Sequence, residues 1–206
     1  MTAKAQPVRN RAHTEAKLRE AVEALLVEGG FAALTPSAVG RRAGVDKMLI
    51  YRYFGDLQGL IRSIAFAPDF FPTFDDLCAG DPAGMKARPV AERARLVLGR
   101  FAAALMAKPA VLELMVWELV ERNEVTAIME EAREQLGLRI ASELFGDARS
   151  PARLNAVTAL LGAGVSYLAL RRRKIRWFNG VDLRSDAGWA QLNEAMAAMA
   201  AGALSA

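Results

Sequence analysis

The 206-residue sequence has very little of the side-chain chemistry from which metal sites and many catalytic sites are built. Cys78 is its one cysteine and His13 is its one histidine. A single thiol cannot form a disulfide within the chain, and one imidazole with one thiol does not make a clustered metal site. The composition therefore excludes a disulfide framework and indicates a reducing cytoplasm. We expect no metal and no cofactor.

Long apolar runs are also missing. The first thirteen residues, MTAKAQPVRNRAH, are polar and basic, and no stretch of about 18 uninterrupted apolar residues follows them. We expect a protein that is neither exported nor membrane-spanning. Hydrophobic residues nevertheless make up 53% of the chain and charged residues 24%, so the chain can bury a sizeable core.

Strand-like alternation is scarce, and helical spacing dominates from end to end. The pattern predicts an all-α fold. Thr14 is a candidate N-cap for a first helix that stops at Gly29-Gly30. Thr35-Pro36 and Gly44 bound a second helix, and Asp46 starts a third that runs to about Tyr53.

The segment from residue 67 to residue 89 breaks this periodicity. It reads APDFFPTFDDLCAGDPAGMKARP, which is rich in Pro, Gly and Asp, and it predicts a linker or mobile segment. Helices resume near Leu98, stop at Lys108-Pro109 and restart. Ser150-Pro151 opens another long helix.

The positive charge is concentrated near the N-terminus. The net charge is +4; residues 1–66 hold ten Lys and Arg against six acids, while the remaining 140 residues hold 17 of each. A polyanion partner for the first third of the chain is the simplest functional interpretation. The alternative is an ordinary solvated surface.

Two helices of about eight residues, separated by Ala43-Gly44-Val45, have the spacing of a helix-turn-helix, whose second helix enters the major groove of DNA. Glycine suits the left-handed backbone of the turn. The side chains placed to hold the two helices together are Val39, Val45, Ile50 and Phe54. By elimination, the outward-facing side chains are Lys47, Met48, Leu49 and Arg52.

The stretch LTPSAVGRRAGVDKMLIYRYF resembles the operator-binding segment of the TetR family of transcriptional regulators. The matching positions are Thr35, Ala43, Gly44, Val45, Tyr51 and Phe54. The resemblance implies that Tyr51 and Tyr53 bond phosphates and that Thr35 caps the supporting helix near the DNA backbone. It also implies that the recognition helix presents Lys47, Met48, Leu49 and Arg52 to the groove, with Arg41 and Arg42 as phosphate neighbours. Half-buried packing between helices is the other interpretation of the two tyrosines.

One position departs from the family pattern. The family usually has a lysine just after the start of the fourth helix, where it neutralises a phosphate, and this chain has Leu57. Either one phosphate contact is missing or a basic arm containing Lys4, Arg9 and Arg11 replaces it. A second basic run, Arg171 to Lys174, falls where a helix should end and suits the helix dipole there.

The resemblance extends to the second part of the chain only as helix count and order. We divide the chain into a basic arm (residues 1–13), a three-helix DNA-binding domain with its helix-turn-helix (14–66), and a helical effector-binding and dimerisation domain (67–206). The helix from Asp56 to Ala65 would couple the two domains.

Two sets of residues are predicted in the third segment. Candidates for the lining of an effector pocket are Phe101, Leu105, Met115, Trp117, Glu118 and Trp177. Ordinary core packing is the alternative for each of them. Residues spaced like a helix–helix seam between two copies are Leu154, Val157, Leu161, Gly164, Leu168, Trp189, Leu192, Met196 and Met199.

These observations predict a cytoplasmic homodimer that binds a double-stranded operator and represses transcription until a small, largely apolar effector releases it. The first alternative is a DNA-binding dimer without small-molecule input. The second is a small helical enzyme that uses carboxylates such as Glu118, but we find no nucleophile or base partner for one. We therefore expect no enzymatic activity and no membrane partner.

Overall fold

The computed structural model describes residues 5–67, 70–146 and 150–204, and helices account for most of them. In chain order the helices are α1 (Ala5–Gly29), α2 (Pro36–Ala43), α3 (Met48–Phe54), α4 (Leu57–Ala65), α5 (Phe74–Cys78), α6 (Pro82–Lys86), α7 (Val90–Ala107), α8 (Pro109–Glu118), α9 (Glu124–Phe145), α10 (Pro151–Arg171) and α11 (Asp186–Leu204). A 3₁₀ turn (Phe31–Ala33) follows α1. The predicted all-α fold is confirmed.

A small hairpin is the exception that the sequence analysis missed. Strands β1 (Trp177–Phe178) and β2 (Val181–Asp182) pair antiparallel, and left-handed Asn179 and Gly180 form the turn between them. Two residues per strand are too few for a visible alternation of polar and apolar side chains.

The elements form two compact units. Unit 1 comprises Met1–Phe70 and Pro109–Met129, and unit 2 comprises Phe71–Lys108 and Glu130–Ala206. Helix α8 belongs to unit 1 because it packs against α1. The functional boundaries at residues 13/14 and 66/67 stay predictions.

The core of unit 1 forms around α1, α2 and α4. Its fully buried apolar side chains include Leu18, Val22, Leu26, Val39, Ile50 and Leu60. Asp56 Oδ1 accepts the backbone N–H of Gly59 at 2.6 Å and so caps α4 as expected.

Helix α1 starts earlier than predicted. It begins at Ala5, so residues 5–13 of the predicted arm are helical and Thr14 is not an N-cap. Pro7 lies in the first turn, where its missing N–H removes no helical hydrogen bond. Lys4, the first basic residue of the arm, lies outside the described residues.

The prediction of a linker between residues 67 and 89 is wrong for its larger part. Thr73 opens α5 with a reciprocal capping box, in which its side chain and that of Asp76 each accept a backbone N–H. The side chains of Phe74, Leu77 and Met85 are at most 3% exposed and join the core of unit 2. Helices of five residues are too short for a periodic pattern, which explains the error.

The rest of the core of unit 2 lies between α7, α10 and α11. Two arginines help to close it: buried Arg93 donates to the carbonyl of Leu144, and Nη1 of half-buried Arg100 donates to the carbonyl of Leu77 at 2.8 Å. These bonds satisfy carbonyls near the ends of α9 and α5, where the helices themselves supply no donor.

The basic run at the end of α10 has a structural role. Arg172 Nε donates to the carbonyl of Leu183 at 3.1 Å, and Arg184 Nε donates to the carbonyl of Arg172 at 3.2 Å. Arg176 pairs with Asp182 at 2.8 Å. The cations thus fasten the hairpin to the end of α10.

Within the described part of the chain, one helix, α10, is long and apolar enough to cross a membrane by length and composition alone. The core helix of a globular protein passes the same test, so this helix is weak evidence for a membrane span.

Replacement of Phe74 by alanine tests the assignment of α5 to the core. Because Phe74 is 2% exposed, Phe74→Ala should lower the free energy of unfolding by about 3–5 kcal/mol. The matched control is Phe66→Ala, since Phe66 is 57% exposed, and its effect should stay within about 0.5 kcal/mol. Urea unfolding measures both; equal effects of the two substitutions would show that α5 is not core.

Candidate nucleic-acid interface

The supporting helix of the predicted helix-turn-helix has the predicted ends. Thr35 Oγ1 accepts the backbone N–H of Ala38 at 3.1 Å, and Pro36 occupies the first helical position. Gly44 ends α2 with φ of 66°, in the left-handed region that disfavours other residues. This corner sets the direction in which α3 leaves.

The turn is closed by local hydrogen bonds. The backbone N–H of Val45 donates to the carbonyl of Gly40 at 3.0 Å, and Asp46 Oδ1 accepts the backbone N–H of Met48 at 2.8 Å. Asp46 therefore satisfies a donor of the first turn of α3, as predicted, although the helix itself begins at Met48.

Gly40 is a positioning residue that the sequence analysis did not identify. A Cβ atom there would lie 3.0 Å from the backbone nitrogen of Lys47 and 3.1 Å from the carbonyl oxygen of Val45. Even alanine would have to displace the start of α3 by a few tenths of an ångström. A glycine in the interior of a helix is the only sequence signal for such a close approach.

Two of the four residues predicted to hold the helix pair are completely buried. Val39 and Ile50 are 0% exposed, so α3 has no freedom to roll on α2 without opening the core. Val45 and Phe54 are only half-buried. The pair is therefore anchored by one large apolar side chain from each helix.

The opposite face of α3 is accessible. Lys47, Met48, Tyr51 and Arg52 are exposed, and Leu49 is half-buried. A short helix with two cations and a phenol on its open face can meet a phosphate backbone and a groove edge at once. Tyr53 is half-buried, so its ring has a packing role as well.

The two arginines at the end of α2 differ in their contacts. Both are exposed, but Arg42 forms a bidentate ion pair with Glu28 of α1, at 2.8 Å (Nη1–Oε2) and 2.6 Å (Nη2–Oε1). The hydrogen bonds from Arg42 hold the pKa of the Glu28 carboxyl below its usual value, and those to Glu28 raise the pKa of Arg42. In the free protein both Nη atoms of Arg42 therefore bind Glu28 of α1.

Helix α1 also lies against the end of α3 through cation–aromatic contacts. The guanidinium of Arg11 is 4.9 Å from the centre of the Tyr53 ring, and that of Arg19 is 5.7 Å from the centre of the Phe54 ring. Arg19 Nε also donates to Ser63 Oγ of α4 at 3.1 Å. One face of α1 thus holds α3 and α4 together.

The model of the TetR family, described as bacterial regulatory proteins of that family, matches residues 18–64. This range contains the whole of the turn and both of its helices. Residues 18–64 therefore match the DNA-binding domain of TetR-family regulators. No curated protein matches the chain at the sequence level.

Solved structures of TetR-like regulators share the fold of this chain along nearly its whole length. A TetR-like transcriptional regulator from Rhodococcus sp. RHA1 is 16% identical with a TM-score of 0.65, covering 89% of this chain and 93% of its own. The fatty acid degradation regulator FadR from Bacillus halodurans is also 16% identical, with a TM-score of 0.64 and coverages of 93% and 96%. A TetR-family member from Streptomyces coelicolor A3 is 22% identical, with a TM-score of 0.58 and coverages of 92% and 91%. At identities this low, the structural likeness shows a shared fold alone.

The six predicted effector residues are divided between the two units. Phe101, Leu105 and Trp177 belong to unit 2, whereas Met115, Trp117 and Glu118 belong to unit 1. Each unit by itself therefore holds half of the predicted set.

Two tryptophans predicted to line an effector pocket differ in their surroundings. Trp177 is 58% exposed on the hairpin, which does not fit a residue that lines an enclosed pocket. Trp117 is a core residue of unit 1: its ring stacks on Phe31 at 3.5 Å between centres, and its Nε1 donates to Glu121 at 2.5 Å. A large apolar residue at helical spacing has the same sequence signal in a core and in a pocket.

Unit 2 contains an open groove of about 770 Å³ between the end of α9 and the start of α10. Arg139, Ser142 and Asn155 are among its lining residues, and none of the six predicted effector residues lines it. Among the described residues, no group of three or more His, Cys, Asp or Glu side chains could hold a metal ion.

Much of the predicted dimer seam is used inside the protomer. Leu154 is 5% exposed, and Val157 and Leu161 pack on the core of unit 2. Trp189 and Met196 of α11 are also buried, at 9% and 6%. Gly164, Leu168 and Leu192 are half-buried, and Met199 is 56% exposed.

The exposed apolar face of α10 lies beside the predicted seam. It consists of residues spaced by three or four positions: Ala156, Ala159, Leu160, Ala163 and Tyr167. Leu160 is 74% exposed and Tyr167 is 49% exposed. Because α10 is apolar on nearly every side, its spacing alone could not distinguish the inner face from the outer one.

Titration of Glu28 tests the ion pair that fixes Arg42. The pKa of Glu28 is lowered by the hydrogen bonds from Arg42, so the pair stabilises the fold above the unfolded-state pKa and is lost as pH falls through the folded one. Carbon-detected NMR should give a midpoint below the ordinary glutamate value. In Arg42→Gln the midpoint should return to that value; identical midpoints in the two proteins would show that the pair is absent in solution.

Proposed function

We propose that this TetR-family DNA-binding regulator is a cytoplasmic homodimeric repressor, released from a palindromic operator by a small, largely apolar effector. The observation that carries the proposal is the rigid presentation of α3. Buried Val39 and Ile50 fix its inner face, while Lys47, Tyr51 and Arg52 remain on its open face. Such a helix fits the major groove.

The proposed DNA contacts fall into two classes. Tyr51 and Tyr53 bond phosphate oxygens through their hydroxyls, with Thr35 and Arg41 close to the same backbone, and these contacts position the protein without reading sequence. Lys47, Met48, Leu49 and Arg52 meet the groove edges. Met48 and Leu49 are apolar and suit thymine methyl groups. Arg42 can join the phosphate contacts only if it exchanges Glu28 for DNA.

Operator binding in the presence of salt tests these roles. For an operator selected from a random pool, the affinity should fall steeply with salt because bound cations release counterions from the duplex. Tyr51→Phe should weaken binding by about 1 kcal/mol at every salt concentration, since it removes one hydrogen bond without changing the charge of the protein. Arg52→Gln should weaken operator binding by about 1–3 kcal/mol and relax the sequence specificity, since the proposed role of Arg52 is to contact base edges.

Fluorescence anisotropy with a labelled duplex measures the affinity and its dependence on salt. Salt-independent binding by the unmodified chain would contradict the proposal. An unchanged affinity in both variants would contradict the assignment of α3 as the DNA-reading helix.

Dimerisation is proposed from the exposed face of α10. Leu160, Tyr167 and the small residues between them form a continuous apolar stripe that is exposed to water in the single protomer. Met199 of α11 is a further exposed apolar residue. Small side chains allow two copies of the helix to approach closely. Two copies would also supply the paired recognition helices that a palindromic operator requires.

A charge placed on this stripe tests the dimer. Leu160→Glu should convert the protein to a monomer and lower operator affinity by at least tenfold, because a carboxylate would be buried without a partner. The control is Leu138→Glu on α9, where the leucine is 42% exposed outside the stripe. Sedimentation equilibrium gives the molar mass; a dimer that survives Leu160→Glu would remove α10 from the interface.

Effector release requires that the ligand binds better to a conformation in which α3 is misplaced for the operator. The contacts of unit 1 suggest how such a change would reach α3. Trp117 of α8 stacks on Phe31 directly after α1, and Arg62 of α4 pairs with Glu124 at the start of α9. We therefore propose α8 as a coupling element in addition to α4. Leu105 and Phe101 of unit 2 remain candidates for contact with the effector.

A further inference from the structure

Helix α1 presents charged residues to the recognition helix along one of its faces. Arg11, Glu15 and Arg19 follow one another at intervals of four, so they share a face of α1. Their aromatic neighbours, Tyr53 and Phe54, are consecutive residues whose rings meet edge to face at 6.5 Å. The first contact of this series joins Arg11 to the tyrosine that the proposed function places on a phosphate.

Arg11 retains most of its capacity to bind an anion. Its Nε donates to Glu15 Oε1 at 2.7 Å, and its side chain is 57% exposed. A guanidinium has five N–H donors in a planar fork, so four remain beyond this bond. A phosphodiester presents two non-bridging oxygens, and a guanidinium beside a phenol can bind both of them.

Two neighbouring positions, Arg42 and Leu57, show why Arg11 matters. Arg42 donates through both of its Nη atoms to Glu28, so its fork is already occupied by a carboxylate. Leu57, at the first position of α4, is apolar and half-buried and brings no charge to the site. Arg11 is thus a cation that lies against an α3 side chain and keeps an accessible fork.

We propose that Arg11 binds an operator phosphate together with the hydroxyl of Tyr53, and that Glu15 competes with this phosphate for Arg11 in the free protein. This inference rests on the proposed operator binding. Stacking on Tyr53 pre-orients the guanidinium, which lowers the entropy lost when the phosphate binds. The contact supplies positive charge that Leu57 cannot, and it does so from α1 rather than from α4.

Salt-dependent operator binding by the full-length protein tests this assignment. Arg11→Gln should weaken binding about fivefold near 0.1 M salt and reduce the logarithmic salt slope by about one. The matched control is Arg88→Gln in the connection between α6 and α7 of unit 2, because Arg88 also pairs with a glutamate four residues later, Glu92, at an exposed position. This control should leave affinity and slope unchanged.

Two further variants separate phosphate binding from a purely structural role. Arg11→Lys keeps the charge and should retain the salt slope, although it loses the planar fork and part of the affinity. Glu15→Gln should tighten binding about twofold or more, because it removes the competing carboxylate. If Arg11 only braced α1 against α3, loss of Glu15 would weaken binding or leave it unchanged.

A scrambled duplex distinguishes phosphate contact from base contact. Arg11→Gln should weaken binding to the operator and to the scrambled duplex by the same factor, since a phosphate carries no sequence information. A loss confined to the operator would overturn the assignment to phosphate. The same holds for an unchanged slope in Arg11→Gln, provided that the unmodified protein binds with a steep slope. A wild-type protein without salt-dependent operator binding would instead contradict the proposed function itself.

Discussion

The structure around the candidate DNA-binding surface depends on one backbone corner. Gly44 adopts φ of 66° at the end of α2, a conformation that costs other residues roughly 1 kcal/mol or more. Val39 and Ile50 lie completely buried on either side of that corner, and Gly40 lets the start of α3 approach the backbone of α2. Because the corner and the buried pair fix the orientation of α3, every outward side chain of that helix has a defined direction.

Helix α1 packs against the helix-turn-helix and helps to hold α2 and α3 in place. Its apolar side forms the core of unit 1 through Leu18, Val22 and Leu26, while its charged positions reach the neighbouring helices. Glu28 forms an ion pair with Arg42 at the end of α2. Arg11 and Arg19 lie over the aromatic rings at the end of α3. The same helix therefore contributes to stability and to the electrostatics of the proposed DNA surface.

The sequence was sufficient where local chemistry decides structure. Thr35, Pro36 and Gly44 predicted the ends of α2, and Asp56 predicted the start of α4, because caps and left-handed corners act over three or four residues. The same reasoning failed at Thr14, which lies inside α1. The sequence was insufficient where long-range packing decides. Five-residue α5 has no period to detect, and an apolar residue such as Trp117 has the same signal in a core and in a pocket. On α10, apolar side chains surround the helix, so the predicted seam included Leu154, which the protomer buries itself.

The proposed function requires that two copies of α3, each fixed by its glycine corner, meet neighbouring turns of one duplex. Hydroxyl-radical footprinting of the selected operator tests it directly, since the radicals report protection of each sugar along both strands. We expect two equivalent protected patches related by a two-fold axis, with half-sites centred about 10 base pairs apart or a multiple of that spacing. A single asymmetric patch, or uniform protection without half-sites, would contradict it.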